Sequence, residues 1–224
     1  MNFYGSLFYP MLAQGVGLCN DRWRYRLYWT SSHHPSLAMS RSDSALAATR
    51  SWVEDFVVAH DVCPFAGREL RREAIRYVGV AADDWPATLT TLIEECRRLD
   101  GAPDIATTLL VLTSGVEDFD DYLDLLAIAE TLLIDQGYEG TYQLASFHPD
   151  YCFADTDPGD PANFTNRSPW PMLHLLREAD IERALAHYPD PEEIPERNIA
   201  VMQRLGRMPL AEQLAALRHS RDRT

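Results

Sequence analysis

Apolar positions recur at helical spacing from about Asp43 to His60, where Leu46, Thr49, Val53, Phe56, Val57 and His60 fall on one face. Ser42 or Asp43 is available as N-cap. This helix has to stop before Cys63-Pro64, because a residue preceding proline is pushed out of the helical region. The run Ile75, Tyr77, Val78, Val80 predicts a first strand. A second helix is predicted over 84–99, started by Trp85-Pro86 and ended by Asp100-Gly101. Thr107 to Leu112 is continuously apolar at its end and bounded by Ser114-Gly115, the pattern of a strand buried on both faces. Phe119, Tyr122, Leu125, Leu126, Ala129 and Leu133 predict a third helix over 117–136, with Gly137 behind it. Thr141 to Phe147 reads as a third strand, and two more helices are predicted over 169–187 and about 195–205.

Strands separated by helices of this length read as successive β-α-β units. The expected fold is therefore α/β, a small three-layer sandwich with a mainly parallel three-stranded sheet flanked by helices. A ferredoxin-like sheet would need an antiparallel hairpin, and no short turn joins two of the predicted strands. The domain is expected over 39–206, with 207–224 as a short helix and tail. Residues 1–38 are aromatic-rich, fit neither periodicity for long, and carry one Asp against three Arg, opposite in sign to the rest of the chain. They are expected to be a non-native or disordered leader, with translation starting at Met39. They make no convincing signal peptide, since a positive n-region is missing and Pro10 and Gln14 interrupt the apolar stretch.

Charge and composition narrow the function. With 224 residues and 46% hydrophobic content the chain can bury one sizeable core. A formal net charge of −14 argues against nucleic acid or an anionic membrane as partner, because both need a basic footprint. All 20 basic residues are Arg. Without lysine there is no Schiff-base chemistry, no pyridoxal phosphate anchor and no Walker-type phosphate lysine. The four cysteines form no CxxC pair, which suits a reduced cytoplasm, and no apolar run is long enough to span a bilayer. No cofactor is legible.

Most of the chain's chemistry-bearing groups crowd into 147–177, between the third strand and the predicted helix at Pro169. In open parallel sheets ligands bind at the carboxyl ends of strands, where His148 and Thr113-Ser114-Gly115 fall. Ser168-Pro169 reads as a helix start, whose exposed N–H groups beside Asn166 and Arg167 would hold a phosphate or carboxylate. His148, fixed by Pro149, is a candidate acid/base. Asp150 and Asn163 would orient the ligand, with Arg177 a further ligand contact. His174, expected one and a half turns into the helix, and Cys63 are secondary catalytic candidates; each is also compatible with an inert buried role. Asp155, Asp157 and Asp160 lack calcium-loop spacing and read as turn formers. The expected partner is a small anionic molecule, bound by an enzyme or a non-enzymatic binder. The alternatives are an adaptor docking through Tyr151, Phe153, Phe164 and Trp170, or a zinc protein using Cys63, His148 and His174.

Cys63-Pro64-Phe65-Ala66, Thr107 to Val111, Ala145-Ser146-Phe147-His148-Pro149-Asp150-Tyr151, and Thr165-Asn166-Arg167-Ser168-Pro169 leading into Leu173 to Glu178 resemble the bacterial family known as domain of unknown function 1415. The likeness covers about 42–206, and the typical length of such proteins fits a start near Met39. It implies no activity, substrate or cofactor.

Overall fold

The computed structural model describes residues 40–219. Helix α1 (Arg41–Trp52) is capped by Ser40, whose hydroxyl accepts the Asp43 N–H at 3.0 Å, two residues ahead of the earlier of the two caps expected. It continues as a π-helical segment, Val53–Val58, and a short α2 (Ala66–Arg71) follows the Cys63-Pro64 turn. Strand β1 (Ile75–Ala81) leads to α3 (Trp85–Gly101), capped by Asp84. Strand β2 (Thr107–Ser114) leads to α4 (Phe119–Asp135), capped by Asp118. Between β2 and α4, Gly115 adopts a φ of +85° with its Cα against the backbone of Ala82, a position that leaves no room for a Cβ. Then come β3 (Tyr142–Phe147), a 3₁₀ turn at Pro161–Thr165, β4 (Met172–Arg177), α5 (Glu178–Leu185), α6 (Ile194–Leu205) and α7 (Arg207–His219).

The sheet has four strands in the order β1-β2-β4-β3. β1 and β2 pair in parallel, while β4 lies antiparallel between β2 and β3. The sheet is thus mixed, which corrects the mainly parallel three-stranded expectation. The helix expected over 169–187 is instead β4 followed by α5. The residues Met172 to Arg177 lie in the middle of the sheet with both faces covered, so they show no period of two, and the preceding Pro169 and Pro171 resemble a helix start. Antiparallel pairing needed no tight turn, because the long segment 148–171 returns the chain.

Two cores flank the sheet and make three layers. On one face Leu110, Leu112, Leu144, Leu173 and Leu175 meet the buried sides of α3 and α4. On the other, Leu109 and Met172 meet α1, the π-helical segment, α6 and α7 through Trp52, Phe56, Met202, Leu210 and Leu214. Burying such side chains stabilises by about 2 kcal/mol each. Leu210, Leu214 and Leu217 of α7, the short helix expected after Gly206, are all buried in this second core. The expectations for 1–38 fall outside the described residues. Among the described residues no helix is long and apolar enough to cross a membrane.

Candidate functional site

The carboxyl end of the sheet is closed. His148 is fully buried, with its ring against Phe119 and Tyr122. Its Nδ1 accepts the Asp150 N–H at 3.1 Å, which requires the proton on Nε2, and Nε2 donates to the Val116 carbonyl at 3.2 Å. Burial lowers its pKa, and both nitrogens are committed, so His148 holds the loop rather than offering a base to a ligand. Ser114 donates to Asp83, and Glu117 accepts the Gly115 N–H at 3.0 Å and pairs with Arg41 at 2.9 Å. The gap beside Asp150, Trp170 and Arg41 measures only about 30 Å³, room for a water molecule.

The remaining polar groups of 148–168 are spent on folding that loop. Asn163, fully buried, accepts from the Phe153 N–H and the Thr156 hydroxyl at 3.0 Å each and donates to Asp157 O at 2.9 Å. Arg167 donates to the carbonyls of Tyr151 and Pro158 at 3.0 and 2.9 Å and lies over the Phe164 ring. Ser168 caps no helix: its hydroxyl donates to Trp170 O at 2.6 Å, and the chain continues into β4. The anion clamp expected from Asn166, Arg167 and a helix start therefore lacks its helix. Asp157 and Asp160 accept from Gly159 and Ala162 N–H groups, the turn role expected of them. Arg177, at the end of β4, donates to the carbonyls of Leu99, Ala102 and Ile105 and so finishes α3.

Space for a ligand lies instead on the face of the sheet toward α1, α2, α5 and α6, in a cavity of about 1130 Å³. Cross-strand neighbours share a face, so Thr107, Leu109, His174, Leu176 and Phe147 form its floor. The π-helical segment after α1 contributes Val53 and Val57, α5 contributes Ile181 and Ala184, and α6 contributes Ile194 and Asn198. Four expected site residues line this one cavity: Cys63, Asn166, His174 and Arg177. His148, Asp150, Asn163, Arg167 and Ser168 do not.

His174 is on a strand, not a helix, and its ring is the polar group of the floor. The Thr107 hydroxyl has one proton and donates it to Leu175 O at 2.6 Å. It can then only accept from His174 Nε2, 2.7 Å away. The imidazole is thus held as the Nε2–H tautomer with a bare lone pair on Nδ1. Burial lowers its pKa to about 4, keeping it neutral. Cys63 is half-buried and burial raises its thiol pKa, so it is not poised as a thiolate. Two polar atoms of lining residues, Trp52 Nε1 and Asn198 Oδ1, are buried with no hydrogen-bond partner among the described residues.

The other readings find less support. Among the described residues no three His, Cys, Asp or Glu side chains are grouped to hold a metal ion. Of the aromatics expected on a docking patch, Phe164 is buried, and Tyr151, Phe153 and Trp170 are half-buried, with Tyr151 packed on Phe119 and Phe153. Thr107, Leu109, Trp52 and Asn198 are site residues that the sequence reading missed. The sequence carried no clear signal for them, because the floor strand is apolar at both sets of alternate positions apart from His174.

No curated protein and no solved structure matches this chain. A family model described as a protein of unknown function (DUF1415) matches residues 44–212, from α1 to α7 and through every wall of the cavity. The chain belongs to the DUF1415 family.

Proposed function

We propose that this protein binds a small amphipathic molecule, its apolar body lying on the sheet face and its anionic end at the arginines of α2 and α5. The observation that carries this is the cavity of about 1130 Å³, which gathers hydrocarbon from the sheet, the π-helical segment, α5 and α6 and carries charged groups of both signs, Arg68, Arg72, Arg183, Glu69 and Asp180 among them. That size and lining suit a small-molecule site. Arg68, Arg72 and Arg183 line the cavity with side chains 73, 50 and 69% exposed, which marks its outer margin. Each already meets a carboxylate, Glu69 or Asp180, so an incoming anion gains modestly and the apolar body supplies most of the affinity.

Binding is favoured over nucleophilic catalysis, since neither Cys63 nor His174 is activated. The thiols of Cys63, Cys96 and Cys152 are all free, which fits a reducing cytoplasm. The test is calorimetric titration with medium-chain fatty acids and alkyl phosphates, inorganic phosphate serving as control. Saturable binding that also shields Cys63 from maleimide, read by peptide mass, is the expected result. Failure of every alkyl probe to bind overturns the proposal. Binding of inorganic phosphate alone, with Cys63 still open to maleimide, would return the anion site to the strand-end loop.

A further inference from the structure

We propose that the buried end of the ligand carries a hydrogen-bond donor, a hydroxyl in the simplest case, that seats on His174 Nδ1 at the floor of the cavity. This rests on the cavity being the ligand site and names what its floor selects. The selection follows from a chain of single protons. Leu175 O takes the only proton of Thr107 Oγ1, at 2.6 Å, so Thr107 presents a lone pair to His174. His174 Nε2 must then hold the ring proton, and Nδ1 is left as an acceptor with no partner among the described residues. The surrounding floor is Leu109, Leu176 and Phe147, which offers no donor to satisfy it.

An acceptor in hydrocarbon rewards a ligand that donates and penalises one that cannot. A carboxylate at this depth would face the Nδ1 lone pair, and the lining arginine Arg177 is already engaged by the carbonyls of Leu99, Ala102 and Ile105, whereas the exposed arginines at α2 and α5 suit it. An occupant with a donor at one end and an anion at the other fits both ends of the site. Medium-chain ω-hydroxy fatty acids have that chemistry and differ from the plain acids only in the buried hydroxyl. Thr107 is a positioning residue here, since its hydroxyl is spent on Leu175 O and His174 Nε2 and fixes the tautomer.

Titration of paired ω-hydroxy and plain fatty acids of equal length reads the preference directly. The hydroxy acid is expected to bind about tenfold more tightly to the native protein. His174→Leu should abolish that preference, and His174→Gln, which keeps an acceptor of similar size, should retain part of it. Nitrogen-15 NMR of the ligand-free native protein should report a proton on Nε2, and Thr107→Val should release this tautomer. Equal affinities for the paired acids, a preference that survives His174→Leu, or a native Nδ1–H tautomer would each overturn the inference while leaving the cavity as a ligand site. If neither acid binds, the cavity reading fails and this inference fails with it.

Discussion

Two histidines of this chain show how surroundings decide what an imidazole can do. His148 is closed in by aromatic rings with both nitrogens engaged; His174 keeps one lone pair facing open space. Both have lowered pKa values because burial penalises the charged ring. For His174 the value falls from 6.5 to about 4, so between those values the unfolded chain binds a proton that the folded one refuses. Its contribution to stability is therefore intact above about 6.5 and is lost as pH falls toward 4, amounting to about 3 kcal/mol. Urea unfolding of native protein and His174→Gln at a series of pH values should show that much less acid sensitivity in the variant. Arg177 acts through stability instead. Its guanidinium supplies donors to three carbonyls at the end of α3, and Arg177→Ala should cost about 3 kcal/mol in denaturant unfolding.

At the level of elements, legibility followed from how cleanly each segment meets its boundaries. Helices α3 and α4 carry apolar stripes between an aspartate cap and a glycine, and β2 is an apolar run closed by Ser114-Gly115, so their placement could be read directly. Strand β4 could not, because a central strand buried on both sides has no alternation and its prolines imitate a helix start. That one misreading displaced the expected site. A helix at Ser168 would have aimed N–H groups at Arg167, whereas a strand there puts His174 beside Thr107, a pairing that no sequence spacing announces. The segment 147–177 stood out as rich in polar groups, but within 148–168 those groups build the loop. Asn163→Leu, close in volume, would orphan the Phe153 N–H and the Asp157 carbonyl. It should lower stability by about 3 kcal/mol and open residues 150–160 to limited proteolysis.

Across the whole molecule, the two faces of the sheet are covered unequally. α3 and α4, each of 17 residues, seal one face with a continuous core. On the other, α1, α6 and α7 pack over Leu109 and Met172, while α2 and α5, of 6 and 8 residues, are too short to close the remainder. Apolar side chains that line a cavity forgo contacts a packed core would give them, a cost that a ligand-binding role would offset. Stability and function should then separate on filling it. Ala184, half-buried on α5, lines the cavity away from the sheet hydrogen bonds, and Ala184→Trp would project an indole into the space. The variant should unfold a few degrees higher than the native protein, by about 1 kcal/mol, because new apolar contacts replace none that existed. It should also lose affinity for alkyl carboxylates by about a hundredfold and label more slowly with maleimide at Cys63, since the same space admits both reagents. Undiminished affinity in a folded Ala184→Trp protein would mean that the ligand sits elsewhere.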